Sequence, residues 1–223
     1  MGSLLASVVP LALGAAISPT LFALEVLVLS GPRRPVARAW AVALGSALTL
    51  ALYTLLGVTV LARLDTKHPK HSTTGAVVDL TAAALLALLA ARALHRRRTA
   101  AESHGDRTKG RLADAPTAFF VGAGALAMLV NFSTLVLFLP ALHEIARAGV
   151  GLADQVLAWV VLVVITLLPV LLPVTAVTIS GRRAAPVLAR LNGFVSRHAR
   201  QITAAIEVLF AVVLLWKGIG DLR

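Results

Sequence analysis

Apolar residues fall along the chain in six blocks of Leu, Ala and Val, parted by short stretches that hold nearly all the Arg, Lys and His. The blocks run Leu4 to Ser30, Ala39 to Ala62, Thr73 to Ala91, Ala115 to Leu142, Gln155 to Ser180 and Gln201 to about Ile219. An α-helix rises about 1.5 Å per residue, so about 20 apolar residues cross a hydrocarbon layer of about 30 Å. Each block meets that length or nearly does. None alternates as a barrel strand would, and inside a bilayer a helix satisfies its own backbone polar groups. The pattern predicts an all-α polytopic membrane protein with six transmembrane helices.

The basic residues set an orientation. Residues 31–38 carry Arg33, Arg34 and Arg38, residues 92–111 carry seven Lys and Arg, and residues 181–200 carry five, which places fifteen on one face. The opposite connections and the C-terminal end hold six: Arg63, Lys67, Lys70, Arg147, Lys217 and Arg223. The richer face is expected in the cytoplasm of a bacterial plasma membrane, with both termini extracytoplasmic. The first block is 27 residues long with no basic stretch ahead of it, so it reads as a retained helix rather than a cleaved leader.

With that topology the blocks form two triplets of opposite orientation. The first block is interrupted near its middle by Ser18-Pro19-Thr20, and the fourth carries Asn131-Phe132-Ser133-Thr134 at nearly the same depth. Trp40 and Trp159 open the body of the helix that follows in each triplet, and the third and sixth blocks each hold one acid, Asp79 and Glu207. These marks predict two inverted three-helix repeats, residues 1–94 and 117–223, within one membrane domain. Residues 95–116 read as a polar cytoplasmic linker between them. In residues 184–200 the apolar Val187, Leu188, Leu191, Phe194 and Val195 share a face, with Arg190, Arg197 and Arg200 elsewhere. That stretch is either an interfacial amphipathic helix or a basic loop.

Candidate chemistry follows from polar groups placed where the bilayer is driest. Pro19 has no N–H, so the carbonyl of Ala15 loses its helical partner and needs a polar group to replace it. Ser18, Thr20, Asn131, Ser133 and Thr134 are the groups at that depth, and broken helices at the midplane are where transporters build their sites. Their plainer role is kinking and interhelical hydrogen bonding. A carboxylate near the bilayer centre costs several kcal/mol unless paired, hydrated or protonated. Glu25, two turns beyond Ser18 with Phe22 between, Asp79 and Glu207 are therefore candidates for a substrate or ion pathway; Arg33 or Arg34 would be the structural partner of Glu25. Pro169 and Pro173, one turn apart, are candidates for a gate or hinge. Gly45, Ser46, Gly122 and Gly124 permit close helix packing.

Composition narrows the classes. Of 223 residues 58% are apolar and 14% charged, against roughly 25% charged in soluble domains. The net charge of +11 is accounted for by topology, with no need of nucleic acid. With no cysteine there is no disulfide, thiolate site or dithiol relay. His68, His71, His95, His104, His143 and His198 lie in connections or at helix ends, with no pair at metal-ligand spacing on a membrane-embedded face; His68 and His71 read as part of a polar loop, with weak surface metal binding the alternative, and no nucleotide-binding or hydrolase motif occurs. No metal, cofactor or enzymatic activity is expected.

Taken together, the proline-broken first helix (AISPTLFALEVLVLSGPRRPVARAWAVALGSAL), the basic linker and the proline-rich fifth helix (LLPVLLPVTA) resemble the lysine-exporter superfamily. Within it the chain looks most like the actinobacterial GAP family of glycopeptidolipid or sulfolipid addressing proteins. The resemblance implies a secondary transporter that promotes export or flipping of a cell-envelope glycolipid. Amino-acid exporters of the superfamily commonly have a more glycine-rich first-helix motif than Ser18-Pro19. Export of an amino acid or ion is the alternative, as is a non-transporting scaffold for a lipid-export complex. Membrane lipids, a glycolipid or other small-molecule substrate and lipid-export proteins are the expected partners, and the small-residue faces are compatible with a homodimer.

Overall fold

A computed structural model describes residues 2–64, 84, 85, 88 and 115–221. Among these residues the chain is all-helical, with no strand. The third predicted span with Asp79, and all of the predicted linker but residues 115 and 116, fall outside the described residues, save the helical positions 84, 85 and 88.

Two of the predicted spans are broken. Helix α1 covers Gly2–Ala16 and α2 covers Pro19–Leu29, the two bent by 57°. Proline causes the restart: it fits the first position of a helix, where the missing N–H is no loss. Ser18 leaves helical geometry at φ −125°, and its Oγ accepts the N–H of Leu21 at 3.3 Å. Helix α3 then runs Pro35–Leu64. Helices α4, Thr117–Leu129, and α5, Phe132–Arg147, form the second broken pair, bent by 72° at Val130-Asn131.

Helix α6 covers Leu152–Ser180 and continues unbroken through Pro169 and Pro173. A 3₁₀ turn at Gly181–Ala184 leads into α7, Ala185–Asp221. Gly181, at φ +58°, takes a backbone conformation that glycine adopts without strain. The predicted amphipathic stretch and the predicted sixth span are one helix of 37 residues, not two elements meeting at the membrane surface. At about 1.5 Å per residue it is ~55 Å long, well beyond a hydrocarbon layer.

By length and composition two helices suffice to cross a membrane, within Pro35–Val58 and Leu152–Ser180, or four if each bent pair is one span. The outside of the bundle is as apolar as its inside. Leu44, Leu48, Leu52 and Leu55 on α3 and Val208, Val212 and Trp216 on α7 are exposed, while Glu25, Ser46, Thr49, Thr134, Thr166 and Glu207 are buried. Lipid as solvent explains that distribution, and the chain is a membrane protein.

Packing between α3 and α4 brings the broken span into place. A Cβ on Gly45 would overlap the Val121 carbonyl oxygen and lie 2.8 Å from the Ala125 nitrogen, and a Cβ on Gly124 would overlap the Val42 carbonyl. The two backbones touch at reciprocal glycines, whereas Gly122 has nothing within 4 Å and takes no part. From α3, Arg38 donates to the Ala115 carbonyl at 2.7 Å, Ser46 to Gly124 at 3.4 Å and Thr49 to Ala125 at 3.2 Å. Helix α1 lies against α5 and α6, and α7 against α2 and α1.

Candidate functional site

The two helix breaks meet. Because Pro19 cannot donate, the Ala15 carbonyl is left open at the end of α1, and the Thr134 hydroxyl from the first turn of α5 donates to it at 2.9 Å. Asn131, at the second break, does not cap its own helix. Its amide instead donates to Ser18 Oγ at 2.8 Å and to Thr134 Oγ1 at 2.7 Å. Each break supplies the group the other lacks, and four residues from two distant parts of the chain close one polar network.

A carboxyl adjoins it. Ser133 donates to Glu207 Oε1 at 2.5 Å, which ties α7 to the start of α5. Glu207 is 3% exposed, and its second oxygen has no hydrogen-bond partner among the described residues. One turn along α7, the Phe210 ring sits against Gly14, where a Cβ would lie 2.6 Å from Phe210 Cζ and 2.9 Å from Leu137 Cδ1. Only a residue without a side chain lets α7 and α5 close over the first break. At the second break, the Tyr53 hydroxyl is 3.3 Å from the Met128 carbonyl and 3.2 Å from that of Leu129, satisfying the last turn of α4.

The other sequence candidates are placed differently. Thr20 is exposed and outside the network. Glu25 is fully buried with both oxygens unpartnered among the described residues, so the expected pair with Arg33 or Arg34 is not formed. Pro169 is half-buried and Pro173 buried within α6. Tyr53, Gly14 and Phe210 were not singled out by sequence reasoning. Tyr53 carried a signal, as the chain's one tyrosine inside a span, where a phenolic hydroxyl must find a partner. Gly14 and Phe210 carried none, because their meeting is a matter of helix register.

What gathers here is three hydroxyls, one amide and one carboxyl within an apolar bundle. Such groups hold and orient a polar ligand by exchanging hydrogen bonds, and a carboxyl also carries protons. Among the described residues no three His, Asp or Glu side chains gather as metal ligands. A cavity of about 400 Å³ lies elsewhere, beside the start of α1 and the end of α5, lined by Ser3, Ser7, Glu144 and Arg147 among others.

The family model described as Sap, sulfolipid-1-addressing protein, matches residues 8–220 of the chain. No curated protein and no solved structure matches it.

Proposed function

Since the chain belongs to the Sap, sulfolipid-1-addressing protein, family, we propose that it is a secondary transporter that exports or flips a cell-envelope glycolipid across the bacterial plasma membrane. The observation that carries this reading is the joining of two mid-span helix breaks by the Ser18–Asn131–Thr134 network in an otherwise apolar bundle. Broken helices expose backbone groups where a polar ligand needs them, and polar backbone at that depth is tolerated where it is buried in protein or lines a cavity. A lipid headgroup rich in hydroxyls offers the same donors and acceptors as the groups now bonded to one another.

In this mechanism the bonds from Asn131 to Ser18 and from Ser133 to Glu207 open in turn, and the headgroup takes their place. Helix α7, seated on Gly14 through Phe210, is the element whose displacement uncovers the breaks. The acyl chains stay in lipid, so the opening is lateral. The two inverted triplets of the six-span reading exchange the site between faces, and the basic cytoplasmic side attracts an anionic headgroup. Protons couple through one of the acids Glu25, Asp79 or Glu207, since the sequence holds no nucleotide-binding motif.

The test is headgroup accessibility of a fluorescent glycolipid in proteoliposomes of the purified chain, with and without a pH gradient, alongside uptake of radiolabelled amino acids. Glycolipid movement supports the proposal. Amino-acid flux alone transfers the assignment to small-solute export, and silence in both assays favours a scaffold for other lipid-export proteins.

A further inference from the structure

Glu25 stands apart from the network and has a chemistry of its own. Its side chain is 0% exposed, and neither carboxyl oxygen has a hydrogen-bond partner among the described residues. Its neighbours one turn away in sequence are Leu21, Phe22, Val28 and Leu29, none of which offers a side-chain donor. Helix α2 is packed against α3, α4, α6 and α7.

The charged and titratable side chains described on those helices are Arg38 and Tyr53 on α3, Asp154 on α6, and Arg190, Arg197, His198 and Glu207 on α7; α4 has none. None of them bonds to Glu25. Arg38 is bonded to the Ala115 carbonyl and Tyr53 to the end of α4, Arg197 and His198 to their own helix, and Glu207 to Ser133. Among the described residues a charged carboxylate here has neither the counter-ion nor the hydrogen-bond donor that normally holds one inside an apolar bundle.

We propose that Glu25 is a proton-binding site, at which α2 carries a neutral carboxylic acid through the apolar interior. Glu25 lies seven residues beyond Ser18, about 10 Å along a rigid helix. A change in the 57° bend at Ser18-Pro19 swings it as the end of a lever. When that motion brings the carboxyl to water, its O–H bond breaks, the proton passes to a water molecule and the carboxylate is hydrated in place. Return of α2 to the dry position requires the proton back. Proton binding stands on the geometry alone; its use in coupling rests on the transporter reading.

Two measurements separate these statements. Infrared difference spectra of the full chain in bilayers, unmodified minus Glu25→Gln at neutral pH, read the protonation state directly. The proposal expects loss of the carbonyl stretch of a neutral, unbonded carboxylic acid, and no such loss for Glu207→Gln at that frequency. Loss of carboxylate bands instead overturns it. Glutamate labelled with carbon-13 in the Glu207→Gln chain gives the same readout with Glu25 itself unaltered, as a neutral-acid band that resists exchange into deuterated water. In proteoliposomes Glu25→Gln is expected to move lipid but to lose the acceleration by a pH gradient; acceleration that survives the substitution overturns the coupling role. A wild type that moves no lipid defeats the transporter reading and leaves the infrared result to decide the proton site.

Discussion

Replacing Thr134 by valine keeps the shape of the side chain and removes one hydroxyl, which in this structure serves two partners. It donates to the Ala15 carbonyl at 2.9 Å and accepts from Asn131 at 2.7 Å, with Thr134 1% exposed. The Ala15 carbonyl has no helical substitute, because residue 19 is proline. A buried carbonyl left without a donor costs ~1–3 kcal/mol, and an interhelical side-chain bond in a membrane protein is worth ~0.6 kcal/mol. Thr134→Val should therefore destabilise the chain by about 2–3 kcal/mol, read as thermal or denaturant unfolding of purified protein. Thr134→Ser, which keeps the hydroxyl, should recover most of it. The sharper assay is a double-mutant cycle with Pro19→Ala. Alanine restores an N–H that can reach Ala15, so the cost of Thr134→Val should shrink in that background. Equal costs in both backgrounds would refute the idea that Thr134 exists to repair what Pro19 breaks.

Other substitutions test neighbouring parts of the account. Gly45→Ala and Gly124→Ala each drive a methyl into opposing backbone and should cost at least the ~1–3 kcal/mol typical of overpacking, whereas Gly122→Ala should be neutral or stabilising in the same unfolding assay. Tyr53→Phe leaves the Met128 and Leu129 carbonyls without their phenolic donor and is expected to loosen the second break, seen as faster amide exchange at the end of α4. Ser133→Ala and Glu207→Leu both delete the bond from α5 to α7; each should alter glycolipid movement with insertion and folding intact, and normal rates in both at matched protein would dismiss that bond from the mechanism.

Local chemistry was legible in the sequence, and register was not. Pro19 announces a lost hydrogen bond at Ala15, since that follows from a residue and its immediate neighbours. Which hydroxyl would answer Ala15 depends on how α1 sits against α5, and that is set by Gly14 admitting Leu137 and Phe210. That the amphipathic stretch and the sixth apolar block, which begins at Gln201, form one helix was hidden for a related reason. Arg197, His198 and Arg200 look like a boundary by charge, yet Arg197 and His198 bond to the carbonyls of Gly193 and Phe194, each at 2.9 Å, and the helix runs on. Pro169 and Pro173 mark a candidate hinge by their chemistry, and the structure places both inside one continuous helix, α6, as helices inside a bundle tolerate proline when their surroundings satisfy the freed groups. Arg33 and Arg34 offered a structural partner for Glu25 by proximity in sequence, and only the structure shows the carboxyl buried with neither oxygen hydrogen-bonded among the described residues.

The absence of cysteine from the chain makes one measurement unusually direct. With Thr20→Cys and Phe132→Cys introduced at exposed positions beside the two breaks and outside the network, a bifunctional thiol reagent joins the helix breaks while Ser18, Asn131 and Thr134 stay in place. Glycolipid translocation is then followed in proteoliposomes before and after crosslinking with a cleavable form of the reagent. The account predicts that translocation stops when the breaks are joined and resumes when the link is cut. Translocation that continues at an unchanged rate through the crosslinked protein would contradict it, because the lipid would be passing without the two breaks ever parting.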